Sequence, residues 1–195
     1  MKPVIEKHER LLDDFFKVDR FFVRLPKLDG TLSGPRKQLV LDRGDAVAVL
    51  LFRPETQTII LIKQFRFPAS QKVDGWLLEV VAGMVDDGEN PEEAAKRETL
   101  EESGYDVREL ELIAEFFPTP GGSNERIYLY YAEVSAGMRT ADGGGLVSEG
   151  EDIEIVEVGL DQAASMMQQG RLQDAKTLIA IQWCLLRKAR EAAAR

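Results

Sequence analysis

KRETLEESGY, from Lys96 to Tyr105, places three glutamates within five positions of a segment that reads as helix: Glu98, Glu101 and Glu102. Residues three and four apart share a helix face, and like charges at that spacing destabilise a bare helix by roughly a few tenths of a kcal/mol each. The helix opens at Asn90-Pro91-Glu92-Glu93, where Asn serves as N-cap, Pro fits the first helical position and Glu93 can close a capping box. Gly104 stops it. Taken alone, the glutamates describe a solvated acidic face. The preceding stretch, VAGMVDDGE (81–89), is a strand ending in glycine and then an acidic loop, which brings the carboxylates to a sheet edge. A hard cation such as Mg²⁺ prefers oxygen ligands and often takes one or two carboxylates plus phosphate and water. With such an ion in place, clustered carboxylates become favourable.

Outward from the helix, the chain reads as strands and two further helices. DAVAVLLFR (45–53) and TIILIKQFR (58–66) are apolar, β-branched runs that form a buried hairpin. WLLEVVAG (76–83) reads as one strand. ELELIAEFFPTP (109–120) and ERIYLYYAEV (125–134) flank the loop TPGGSN, and EDIEIVEVGL (151–160) is a further strand. DQAASMMQQG (161–170) is a helix with Asp161 as cap, and the chain from Asp174 onward is a longer one, with Leu178, Ile181, Leu185 and Leu186 at helical spacing. RTADGGGLVSEGED (139–152) is a long Gly-rich loop, a kind that is often functional.

Residues 1–44 form a separate module. FFKVDRFFVRLPKLDG (15–30) alternates aromatic and polar residues and turns at Asp29-Gly30, a hairpin signal, and RKQLVLDRG (36–44) is another strand. A small antiparallel sheet of this size is not stable alone. The expected organisation is thus an N-terminal β module, 1–44, and a main domain, 45–195.

Composition narrows the chemistry. The 195 residues are 44% hydrophobic and 30% charged, enough for one sizeable core plus a small module. No apolar run approaches the roughly 18–20 residues of a membrane span, and the first residues lack the apolar stretch of a secretory signal. The expectation is a soluble, cytoplasmic protein. With one cysteine, Cys184, and one histidine, His8, near an end read as mobile, neither an internal disulfide nor a zinc site of the usual type can be built. Acid–base or metal chemistry must therefore run on carboxylates. A net charge of −9 argues against nucleic acid as partner but not against a small phosphate-bearing ligand.

GMVDDGENPEEAAKRETLEESGY (83–105) resembles the Nudix box. Gly83, Glu89, Arg97, Glu98, Glu101, Glu102, Gly104 and Tyr105 fall at its positions, and Thr99, at an apolar slot, is the one soft departure. LLEVVAGM, PTPGGSNERI, SEGEDI and DAKTLIAIQW, and Pro120 about fifteen residues past the box, are similar to bacterial ADP-ribose pyrophosphatases. Gly143-Gly144-Gly145 and Asp174-Ala175-Lys176-Thr177 also resemble the GDP-mannose hydrolases.

The resemblance implies an α+β fold, a Nudix-type α/β/α sandwich with a mixed sheet, plus the N-terminal β module. It implies Mg²⁺-dependent hydrolysis of the pyrophosphate bond of a nucleotide sugar, ADP-ribose first and GDP-mannose as the alternative. Two or three Mg²⁺ ions, or Mn²⁺ in their place, would be held by Glu98, Glu102, Glu151 and the Ala82 carbonyl. Glu101 would be a further ligand or an orienting partner, and Arg97 would hold the box carboxylates in place. Glu149 would be the general base, with exchange of roles between Glu149 and Glu151 left open. Arg66 and Arg43 would meet phosphate, and Thr119, Pro120 and Gly121 would bring main chain to the ligand. Glu125 would bind a sugar hydroxyl, Met84 would line the cleft, and Phe15 and Phe16 would stack on the base, core packing being their alternative. The N-terminal module would exchange with a partner subunit, giving a homodimer. A non-catalytic ligand-sensing domain is the reading from another class, but such domains lose box glutamates and here all are present.

Overall fold

The computed structural model describes residues 1–194, Glu149 by its main chain alone. The chain forms two compact units, residues 1–45 with 117–126, and residues 46–116 with 127 onward.

The first unit is a three-stranded antiparallel sheet in the order β1 (Val4–Asp13), β2 (Lys17–Arg24), β3 (Arg36–Asp42). The turn at Asp29-Gly30 forms in the β2–β3 connection: Gly30 has φ +78°, and Asp29 Oδ1 accepts from the Thr31 amide at 2.9 Å. The segment 117–126 belongs here because Leu41 N–H donates to the Gly122 carbonyl at 2.8 Å. β1 departs from the expectation of a mobile start. His8 lies within it, 2.8 Å from Asp19 and stacked on Phe21 at 4.5 Å between centroids. Arg10 also grips Asp19, through Nε at 2.7 Å and Nη2 at 3.0 Å. A strand whose middle is charged carries little hydrophobic alternation, and cross-strand ion pairs hold it instead.

The second unit is a seven-stranded mixed sheet between helices. Its strands are β4 (Ala46–Arg53), β5 (Thr58–Phe65), β6 (Trp76–Glu79), β7 (Val81–Met84), β8 (Glu111–Phe116), β9 (Ile127–Glu133) and β10 (Ile153–Gly159). The order is β10-β5-β4-β9-β8, with β6 on β5 and β7 on β4; β4 and β9 pair in parallel. The helices are α1 (Phe67–Ser70), α2 (Pro91–Ser103), α3 (Leu160–Gln168) and α4 (Ala175–Ala193). Side chains alternate across a strand. On β4, Ala48, Leu50 and Phe52 therefore pack with residues of α3 and α4, while Val47, Val49 and Leu51 pack with Ala94 and Ala95 of α2. Each fully buried side chain of this size contributes about 1.5–3 kcal/mol, so this two-faced strand anchors both layers. Among the described residues no helix is long and apolar enough to cross a membrane.

Three local expectations need correction. Residues 76–83 form two strands, because the chain breaks ladder at Val80, whose N–H donates to Thr177 Oγ1 at 2.8 Å. Asp161 lies in the first turn of α3, whose cap is Gly159. The short α1 had no periodicity long enough to announce it.

The break at Val80 is fixed by a buried ion network. Glu79, 2% exposed, receives Arg66 through Nε at 2.7 Å and Nη2 at 3.1 Å, and also the Lys176 ammonium. Burial pushes the Glu79 carboxyl up, but Arg66 and Lys176 outweigh it and hold its pKa below the ordinary value. Lys176 also meets Asp174 at 2.9 Å, and Asp174 caps α4 by accepting from the Thr177 amide at 2.9 Å and hydroxyl at 2.6 Å. Asp174→Ala removes both the cap and a partner of Lys176, and it is expected to lower unfolding free energy by about 2 kcal/mol. Asp174→Asn, which keeps an acceptor, should lose less than half of that. Urea denaturation checks both.

Candidate active site

α2 begins where Asn90 Oδ1 accepts from the Glu92 amide at 2.8 Å and ends where Gly104 turns left-handed at φ +77°. Thr99 is fully buried and returns its hydroxyl to the Ala95 carbonyl at 2.6 Å, so a polar residue fits the apolar slot without an unpaired group. Tyr105, at the helix exit, is buried and accepts from Arg53, which also forks onto Glu157 at 2.8 and 2.9 Å. The helix is therefore fixed at both ends.

Arg97 is the hub of the acidic face. Its guanidinium reaches Glu89 twice at 3.0 Å, Glu98 at 2.8 Å, Glu101 at 3.2 Å and the Met84 carbonyl at 3.1 Å. Glu89 in turn accepts from the Asp86 amide at 3.1 Å, so one arginine ties the loop after β7 to the helix. Its own pKa is raised, chiefly by Glu89.

Glu98 lies directly against Gly83. A Cβ on that glycine would fall on the Glu98 carboxylate, so only glycine lets β7 come so close. Glu102, 1% exposed, accepts from the Ala82 amide at 2.9 Å. Burial raises the Glu98 carboxyl to about 7, with Glu101 and Glu151 adding repulsion against the pull of Arg97. Burial raises Glu102 to about 8, with Glu98 and Glu151 adding to it and Arg66 opposing. One buried and one half-buried acid thus lie a helical turn apart with too little positive charge.

Glu151 is brought in by the Gly-rich loop. Gly144 N–H donates to the Glu102 carbonyl at 2.8 Å and Gly145 N–H to the Glu101 carbonyl at 3.0 Å, capping the end of α2 with loop main chain. Gly143 has φ +70°, and a Cβ there would sit 2.6 Å from Ser103 C and 2.8 Å from Glu102 O. Glu151 then accepts from the Leu146 amide at 2.9 Å. Glu149 lies in the 3-10 turn Val147–Glu149, and its side chain is outside the described residues.

The other sequence-derived residues fall into two sets. Arg66 and Met84 share the second unit with the box, Arg66 being engaged by Glu79. Phe15, Phe16, Arg43, Thr119, Pro120, Gly121 and Glu125 belong to the first unit. There Arg43 stands 3.4 Å from Glu125 and over the Phe16 ring at 5.9 Å, with Phe15 edge-on to Phe16 at 4.9 Å. Thr119 turns the chain by accepting from the Gly122 and Ser123 amides at 3.1 and 3.0 Å, and a Cβ on Gly121 would meet nothing within 4 Å. A cavity of about 750 Å³ is lined by Arg108, Glu111, Tyr131, Met138 and Arg187 and by none of the box carboxylates. Sequence reasoning missed the Glu79–Lys176 pair and the capping role of the glycine triplet. A lone glutamate in the apolar run LLEVV was the available signal for the first.

Among the described residues no three His, Cys, Asp or Glu side chains are grouped closely enough to hold a metal ion by themselves. A hard divalent cation does not need three: one or two carboxylates with phosphate and water suffice. Glu98 and Glu102 fit that requirement, because their ionised forms lack the positive charge such an ion supplies.

The model of the NUDIX domain family matches residues 42–181. A GDP-mannose pyrophosphatase of Pectobacterium atrosepticum is 36% identical over 186 residues, covering 94% of this chain and 94% of its own. An ADP-ribose pyrophosphatase of Escherichia coli K12 is 36% identical over 180 residues, covering 91% of this chain and 85% of its own. A solved structure described as an ADP compounds hydrolase has the same fold, with a TM-score of 0.72 at 20% identity, over 100% of this chain and 97% of that one.

The raised carboxyls set a stability profile. Folded-state pKa values near 7 and 8 against an ordinary 4.5 mean that the folded protein binds more protons than the unfolded chain across that window. Their contribution is complete below about pH 4.5 and is lost as pH rises through 7 to 8, a loss of order a few kcal/mol. In EDTA, the melting temperature should fall between pH 5 and pH 8.5, and millimolar Mg²⁺ or Mn²⁺ should restore it. A flat profile in EDTA would contradict the assigned charge state.

Proposed function

The chain belongs to the Nudix family of hydrolases, and from that premise we propose that it cleaves the pyrophosphate bond of a nucleoside diphosphate sugar, converting ADP-ribose and water to AMP and ribose 5-phosphate. The observation that carries this reading is the placement of two α2 carboxylates on β7, Glu98 against Gly83 and Glu102 on the Ala82 amide. Two or three divalent ions, Mg²⁺ or Mn²⁺, would cancel diphosphate charge and acidify a bound water.

Glu98 and Glu102 would hold the ions, joined by Glu151 and the Ala82 carbonyl. Arg97 keeps Glu98 and Glu101 in place through the bonds described above, and Glu101 serves as a further ligand or orienting group. Glu149 takes the proton of the attacking water. Arg66, its guanidinium plane set by Glu79, offers a fork to a phosphate oxygen. Arg43 is a second donor to phosphate, Glu125 takes a sugar hydroxyl, Phe15 and Phe16 stack on the base, the turn Thr119-Pro120-Gly121 brings main chain to the ligand, and Met84, at the end of β7, lines the cleft. The protein acts in the cytoplasm as a homodimer, and the exposed apolar side chains Ile5, Leu11, Leu12 and Leu39 on the three-stranded sheet support the dimer.

GDP-mannose, giving GMP and mannose 1-phosphate, is the second reading, favoured by a relative of equal identity along 94% of both chains. The glycine triplet and Asp174-Lys176-Thr177 do not decide between them, since they cap α2 and brace Glu79.

A phosphatase-coupled assay across nucleotide sugars should show kcat/KM for ADP-ribose at least tenfold above GDP-mannose. A hundredfold preference for GDP-mannose would replace the first substrate with the second. Glu102→Gln should lower kcat by two or more orders of magnitude with the fold intact, and Glu149→Gln should do the same while keeping metal affinity. A near-normal rate for Glu149→Gln would remove it as base.

A further inference from the structure

Gln64 is only 9% exposed, and its Oε1 has no hydrogen-bond partner among the described residues. Leaving a buried acceptor unpaired costs about 1–3 kcal/mol, and native proteins tolerate few such groups. A methionine would fill the same volume without that cost.

Its position explains what the oxygen serves. On β5, Ile60 and Ile62 belong to the core beneath α2, and Gln64 is the next residue on that face. Arg66 follows two residues later in extended conformation, φ −108° and ψ 97°, near enough that its charge acts on Glu102. Directly across from Gln64 on β10 is Ile153, two residues beyond Glu151. A Cβ on Gly145 would sit 3.0 Å from Ile153 Cδ1 and against the Glu151 carboxylate, so those two residues border one spot. Gln64 thus lies opposite Ile153, which borders one spot with Glu151, and on the strand that leads to Arg66. An amide oxygen accepts only, so a phosphate oxygen or a carboxylate cannot satisfy it. Water polarised by a cation is a strong donor and can.

We propose that Gln64 Oε1 accepts a hydrogen bond from a water in the shell of one of the divalent ions that Glu98, Glu102 and Glu151 would share among them, which makes Gln64 a positioning residue for that ion. This rests on the metal-dependent reading above. Charge neutralisation by the glutamates attracts the ion, and Gln64 orients its water without adding charge.

Calorimetric titration with Mn²⁺ alone, no nucleotide present, compares wild type with Gln64→Met, alongside melting temperatures in EDTA. The expected result is about tenfold weaker Mn²⁺ binding, about 1.4 kcal/mol, with an EDTA melting temperature equal to or above wild type, because an unpaired buried group has been removed. Equal Mn²⁺ affinity in the two proteins overturns the inference and leaves the metal reading standing. A lower melting temperature in EDTA also overturns it, since the oxygen would then be holding the fold. Failure of wild type to bind Mn²⁺ at all removes the metal reading and this inference with it. Should Gln64→Met not fold, Gln64→Glu, which keeps an acceptor, must bind Mn²⁺ at least as tightly as wild type.

Discussion

Glu102 is buried and Glu98 half-buried one turn apart on α2, while Arg97 divides one positive charge among Glu89, Glu98 and Glu101. Burial of an ionised carboxylate without a counter-charge is strongly unfavourable. The folded protein can keep these groups only by protonating them or by taking up a cation, and the rest of the unit constrains it toward that choice. Glycine at position 83 lets β7 approach the Glu98 carboxylate, and the Ala82 amide fixes Glu102 from the same strand. Moving Glu102 into water would mean breaking its bond to β7.

The sheet supplies the rigidity. β4 is buried on both faces, and β7, which carries Ala82 and Gly83, pairs with it. The strand can reach that register only because the chain breaks at Val80, and Thr177, Glu79, Lys176 and Asp174 hold the break. Stability and function meet in this network: a cap on α4 fixes a strand whose end cradles the acidic pair. The glycine triplet works from the opposite side, joining the loop of Glu151 to the last carbonyls of α2 by main-chain bonds that do not depend on side chains.

The box was legible because its positions have narrow physical demands: a glycine under a carboxylate, an arginine among acids, a left-handed glycine at a helix end. The β4–β5 hairpin was equally plain, since an apolar run bounded by turn residues allows few other folds. What escaped notice depends on partners far apart in the chain. Arg66, Glu79 and Lys176 form one network without any local pattern, and residues 117–126 join the N-terminal strands through bonds at Leu41. β1 escaped because its ladder runs on charge pairs rather than hydrophobic alternation.

Anomalous diffraction from crystals grown with Mn²⁺ tests the central claim most directly. Peaks within coordination distance of the Glu98 and Glu102 carboxylates, with Arg97 still on Glu89, are the predicted result. A well-ordered α2 whose two carboxylates have no peak beside them, at Mn²⁺ concentrations that support hydrolysis, would contradict the account.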